Sequence, residues 1–400
     1  MTEQERRKIA CELSALSVFR GIHRHKPIAA LLEYLGSEGT AQQKMKLFGE
    51  FVFSLAEDAY SFSDFLCRAV YEDENQYIIG TAQGRALPTV LTENAKAELA
   101  LFSRLTQLSA TDLCEGVEYG GYLPRFENTP TNFVEAYAKR LREIGRYGYG
   151  IFASAGMFRV EDGEILPVEA ADDITLDSFV GYEEERQKVL NNTRVLAEGG
   201  VASNVLLFGD AGTGKSSTVK ACANHFYNEG VRLIEIRKDQ LFSLSHIMGK
   251  IAGNPLKFII FIDDLSFNKN DDCFSMLKAA LEGSASAKAK NAVIYATSNR
   301  RHIVKEHFSD RAEADDVHHS DTVQELMSLS DRFGLTVYFG RPNKALFLEI
   351  VHSLAALRGI QCQPGELDLQ AEAFALAKGS RSPRAAEQFI NSLIQKGGCT

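Results

Sequence analysis

The ten residues from Phe208 to Ser217, FGDAGTGKSS, constrain this chain more than any other stretch. Gly209, Gly214, Lys215 and Ser216 match the phosphate-binding pattern G-x-x-x-x-G-K-[ST] at every required position. Each residue type answers a physical need. Glycines let the backbone bend until several N–H groups from Gly209, Asp210, Ala211, Gly212, Thr213, Gly214 and Ser217 converge on a β-phosphate. Lys215 reaches the β/γ oxygens and Ser216 offers a hydroxyl to Mg²⁺. The preceding Asn204–Phe208 reads as a short buried strand, and Lys215 to Tyr227 reads as a helix with Val219, Ala223 and Phe226 on one side. Strand, glycine loop and helix in that order set phosphates at a helix N-terminus, where unpaired N–H groups and the helix dipole attract anions. The chain is therefore expected to bind a nucleoside triphosphate.

Downstream apolar runs at Val231–Ile236, Phe258–Ile262, Ala292–Ala296 and Leu335–Phe339 alternate with helical stretches. Together with the strand before the loop they predict an α/β fold with a five-stranded parallel sheet. Ligands in such sheets sit beyond the strand C-terminal ends. Lys257–Asp264, KFIIFIDD, is an apolar strand ending in two carboxylates at such a position. Asp263 can hold a Mg²⁺ shell together with Ser216, and Asp264 can orient or deprotonate an attacking water. Ala292–Asn299 places Asn299 where its amide can sense a γ-phosphate, although an Asn after a strand is, taken alone, more often a turn former. Arg332 precedes the last strand and Arg384 opens a C-terminal helix, with Ser382 and Pro383 as its N-cap and first residue. Either guanidinium can grip phosphate oxygens, or be a solvated surface cation.

Residues 1–145 carry apolar positions at helical spacing, such as Ile9, Leu13, Leu16 and Phe19, or Leu47, Phe51 and Leu55. They predict a mostly α-helical N-terminal domain whose core includes Phe48, Phe51, Phe53, Tyr60, Phe62 and Phe65. Asp162-Gly163 between two apolar runs predicts a β-hairpin, read as a linker over 146–172. The α/β core then spans 173–341 and a helical lid spans 342–400. No apolar run is long enough to cross a membrane and the N-terminus is charged, so a cytoplasmic protein is expected. The seven cysteines show no metal-ligand spacing and read as reduced packing residues. A net charge of −9 argues against a surface built to embrace nucleic acid, with Arg300-Arg301-His302 and Lys378, Arg381 and Arg384 the only local basic groups of note.

The order FVGYEEERQKVL, GDAGTGKS, FIIFIDD, IYATSN, LSDRFG and SPRAA resembles the AAA+ ATPases over Asp173 to about Ile394. More closely, IDDLSF, ATSNRRH and LSDRFGLTVYF resemble a bacterial AAA+ family known only as a domain of unknown function. The resemblance implies ATP on Lys215, Mg²⁺ on Ser216 and Asp263, sensing by Asn299, and Arg384 reaching in from the lid. It also implies that Val180 lies near the base and that Arg332 acts on a neighbour's nucleotide in a homo-oligomeric ring. One departure stands out: AAA+ enzymes mostly carry Asp-Glu where this chain has Asp263-Asp264. The catalytic arm is shorter by about 1.5 Å, and a displacement of that size can cost roughly a hundredfold in rate. Slow turnover, an intervening water or a shifted strand end would each accommodate it. No aromatic-hydrophobic-Gly pore loop follows the second strand, where Leu241–Ser245 stands. Three functions are consistent with these residues: an ATPase that remodels or loads a partner protein, a nucleotide-dependent assembly switch with weak hydrolysis, and a nucleic-acid loader.

Overall fold

A computed structural model describes residues 1–168, 174–265, 272–282, 289–299, 332–360 and 362–395. The chain forms two compact units, Met1–Ser154 and Ala155–Thr400.

The first unit is built from helices whose starts are written locally. Thr2 and Thr40 close capping boxes with Glu5 and Gln43, while Ser61 and Asn75 cap the helices Phe62–Glu72 and Gln76–Ala82. Its core is aromatic: Phe19, Phe48, Phe51, Phe65, Phe102, Phe133 and Tyr137 are essentially fully buried. Phe19 meets Phe102 edge to face at 5.6 Å, a favoured ring geometry. Two expectations change here. Phe53 and Tyr60 are exposed, at 74% and 45%, and do not belong to the core. The first helix also stops at Ser14, before Leu16 and Phe19. The reason is Glu98, from the helix Thr89–Leu105. Its buried carboxylate accepts the N–H groups of Ser17 at 2.7 Å, Val18 at 3.0 Å and Phe19 at 2.8 Å. Those donors are drawn out of a helical ladder.

In the second unit the strands are β1 (Met157–Glu161), β2 (Glu164–Pro167), β3 (Val205–Gly209), β4 (Val231–Glu235), β5 (Lys257–Ile262), β6 (Ala292–Ser298) and β7 (Leu335–Phe339). They make one seven-stranded sheet in the order β2-β1-β4-β5-β6-β3-β7, parallel except for β2. The expected five-stranded sheet is thus two strands short. The hairpin is not a free linker, because β1 pairs in parallel with β4, Phe158 beside Ile234. Met157, Phe158 and Val160 are buried, so docking on the β4 edge covers apolar surface as well as edge hydrogen bonds. Its turn has positive φ at Asp162 (48°) and Gly163 (79°), as a tight two-residue hairpin requires.

The helices Glu183–Ala197 and Lys215–His225 contribute Val189, Leu196, Val219, Cys222 and Phe226 to the core on one face of the sheet. Helices Lys344–Leu357, Pro364–Lys378 and Pro383–Gln395 pack around their own core of Phe347, Ile350, Val351, Ala386, Phe389 and Ile390. Ser382 Oγ accepts the Ala385 N–H at 3.1 Å, which caps the last helix one residue before Pro383. Cys222 is buried, Cys67 and Cys114 are partly buried and Cys11 is exposed. Cys362 is disulfide-bonded, contrary to the expectation that every cysteine is reduced. Among the described residues no helix is long and apolar enough to cross a membrane.

Candidate functional site

The glycine loop closes directly on the end of β3. Gly209 has φ 137°, and a Cβ there would lie 2.0 Å from the Phe339 carbonyl oxygen, so only glycine lets β3 and β7 stay paired through this bend. The Asp210 N–H donates to that same carbonyl at 3.1 Å. Gly214, φ 91°, is the N-cap of the helix Lys215–His225, and Thr213 Oγ1 donates to the Asp210 carbonyl at 2.9 Å. The result is a helix N-terminus opening onto a cleft of about 880 Å³.

Lys215 lies beneath the loop, 5% exposed. Its ammonium donates to the carbonyls of Gly209 (3.1 Å) and Asp210 (2.7 Å) and to Asn299 Oδ1 (3.1 Å). Burial pushes its pKa below the ordinary lysine value, against the pull of Asp210, Asp263 and Asp264. Asn299 spends its other end on Asp264, Nδ2 donating to Oδ1 at 2.7 Å. Ser216 Oγ donates to Asp263 Oδ1 at 2.6 Å. Asn299 and Asp264 thus form a bridge from the lysine to the strand tip, and a serine hydroxyl and a carboxylate oxygen stand together as a hard-oxygen pair. That donor set suits Mg²⁺, which takes one or two protein oxygens and completes its shell with water and phosphate.

The cleft is flanked by the C-terminal helices and by the segment before Glu183. Val180 lines it and packs against the core of those helices, and Ile350, Leu354 and Leu357 face it from the helix Lys344–Leu357. Arg384 lines it too, and its N–H donates to the Gly212 carbonyl at 3.3 Å. A Cβ at Gly212 would lie 3.1 Å from Arg384 Cβ, so the loop and the last helix touch with little room to spare. Arg186 lies over the Phe179 ring at 5.4 Å, and burial lowers its pKa.

Of the residues singled out from sequence, Ala211 to Ser217, Val180, Asp263, Asp264, Asn299 and Arg384 all line this cleft. Gly209 and Asp210 line an adjoining hollow with Phe208, Asn299 and Tyr338. Arg332 stands before β7 and does not line the cleft. Arg381 is spent on Glu372, with contacts of 3.0 and 2.8 Å, while Arg300, Arg301 and His302 fall outside the described residues. Sequence reasoning missed Thr297, Arg186 and Tyr182. Thr297, two residues before Asn299 and therefore on the same side of an extended chain, touches both acids at the strand tip. Tyr182 sits at φ 60° and its hydroxyl donates to the Gly340 carbonyl at 2.6 Å, tying the segment before Glu183 to the chain just after β7.

No curated protein matches the chain. Solved structures of RuvB from Thermotoga maritima are similar at 13% identity. One, described as a Holliday junction branch migration motor, aligns with 55% of this chain and 72% of its own at a TM-score of 0.33. A single-residue mutant of it aligns with 55% of this chain and 73% of its own at 0.35. A family model described as "Protein of unknown function (DUF815)" matches residues 153–397, more than half of the chain. The chain belongs to the DUF815 family.

Proposed function

We propose that this protein is a magnesium-dependent ATPase of the AAA+ type, which turns over slowly and acts on a partner protein engaged by the helical unit Met1–Ser154. The observation that carries this reading is one connected set of side chains. Asn299 joins Lys215 to Asp264, and Ser216 joins Asp263, so cation, metal-type oxygens and a second carboxylate converge on a helix N-terminus.

The residues divide the work by their chemistry. Backbone N–H groups from Ala211 to Ser217 receive phosphate oxygens, and Lys215 exchanges some of its present acceptors for β/γ oxygens. Ser216 and Asp263 would hold Mg²⁺, which would supply charge neutralisation on the phosphates. Freed from Lys215, Asn299 can orient the attacking water with Asp264. The water oxygen bonds to the γ-phosphorus, the bond from phosphorus to the β–γ bridging oxygen breaks, and Asp264 takes the water proton on its way to solvent. Arg384 brings a lid cation to the same phosphates, so closing or opening the lid is coupled to the charge in the cleft.

Arg332, outside its own chain's cleft, fits action on the nucleotide of a neighbouring copy in a ring. Mixing Arg332→Ala with Lys215→Ala protein should restore part of the ATPase activity. Mixed assemblies without recovery would rule that geometry out. The primary test is phosphate release: steady hydrolysis that Lys215→Ala abolishes is expected. Tight ATP binding with no release would favour the second reading, an assembly switch, for which the short Asp264 arm speaks.

A further inference from the structure

Successive side chains on an extended strand point to opposite faces, so two adjacent carboxylates at the end of β5 should diverge. Here both Asp263 and Asp264 line the cleft. The alternation is broken at Asp264, whose φ of 51° puts a non-glycine residue in the left-handed region. Such a conformation is strained for a residue with a Cβ and persists only where the surroundings over-determine it. Asp263 Oδ1 accepts the Asp264 N–H at 3.1 Å, and the rest of the turn is held from one residue of β6. The Thr297 hydroxyl donates to Asp263 Oδ1 and accepts the Asp264 N–H at 2.9 Å, and its carbonyl accepts the Leu265 N–H at 2.7 Å. Thr297 is 2% exposed, at the wall of the cleft behind the two exposed acids.

We infer that Thr297 is a positioning residue for hydrolysis: by clasping three consecutive residues it holds the left-handed turn that swings Asp264 onto the same side as Asp263. The turn offers an answer to the missing methylene, since re-aiming the backbone moves a short carboxylate toward the phosphates where a longer side chain would otherwise be needed. Asn299 then fixes the far end of that carboxylate, through its 2.7 Å bond to Oδ1. The inference rests on the ATPase reading and adds a role to a residue that acts through the two acids it holds.

Thr297→Val keeps the shape and removes both hydroxyl bonds, whereas Thr297→Ser keeps the hydroxyl. Thr297→Val should lower kcat for ATP by about a hundredfold with KM within about threefold, and Thr297→Ser should stay within about fivefold of the parent. A second arm does not depend on turnover. By calorimetry, both variants should bind ATP in EDTA as the parent does, while the affinity gained on adding Mg²⁺ should shrink in Thr297→Val alone, because Asp263 loses a donor that aims it. Parent-like kcat in folded Thr297→Val, or Thr297→Ser failing as badly as Thr297→Val, would overturn the role of the hydroxyl. A parent protein that binds no ATP in either buffer would instead overturn the ATPase reading beneath it.

Discussion

Glu98 in the helical unit and Asp263 in the α/β unit are both carboxylates that collect hydrogen bonds from several donors, yet they have opposite settings. Glu98 is 9% exposed, and its donors are the Ser17 hydroxyl and three consecutive backbone N–H groups, two of them in the buried residues Val18 and Phe19. Asp263 is exposed to the cleft, and one of its donors is the half-buried hydroxyl of Ser216. A hydroxyl can rotate toward water or an ion at little cost, whereas a buried N–H cannot. The first carboxylate is therefore a piece of scaffold, while the second, in the proposed site, is free to exchange a donor for an ion. What separates structure from function in this chain is not the number of bonds an acid makes but whether its donors can be given other work.

The comparison can be broken from either side. The larger effect is expected at the scaffold: Glu98→Ala leaves the N–H groups of the buried residues Val18 and Phe19 unpaired and should cost about 3 kcal/mol of stability in urea unfolding. ATP affinity measured on the folded protein should stay within about twofold. A loss below 1 kcal/mol would mean that the loop finds other acceptors. The slightly smaller effect is expected at the site. Asp264→Asn keeps the volume and can still take the Asn299 bond, so folding should change by less than about 1 kcal/mol. Phosphate release should nevertheless fall about a hundredfold, or about 2.7 kcal/mol of barrier. Parent-like turnover would remove Asp264 from the role of water-orienting acid.

Legibility in the sequence follows the same division. The loop from Gly209 to Ser217 is readable because its geometry is imposed by neighbours in sequence: glycines at positive φ, a lysine and a serine at the head of a helix. The acids at the end of β5 are readable because a six-residue apolar strand leads into them. The Asp162-Gly163 turn is readable for the same reason, but the place of its hairpin is not. Nothing in residues 157–167 says that β1 will find the edge of β4, since a pattern that buries one face serves a free hairpin and a docked one alike. Glu98 and Thr297 are harder still. Their partners lie about 80 and 33 residues away, so only the assembled fold reveals that one ends a helix early and the other bends a strand tip. The exposure of Phe53 likewise follows from which side of the helix Ala41–Ser54 meets Phe48 and Phe51's neighbours, a matter of packing and not of residue type.

The central claim is that the bend at the end of β3 and the acids at the end of β5 make one nucleotide site. Isothermal titration of the full chain with ATP and Mg²⁺, beside Lys215→Ala, tests it most directly. The account predicts saturable binding at one site per chain that Lys215→Ala weakens at least a hundredfold. Folded parent protein that takes up no ATP, or a Lys215→Ala protein that binds as the parent does, would contradict it.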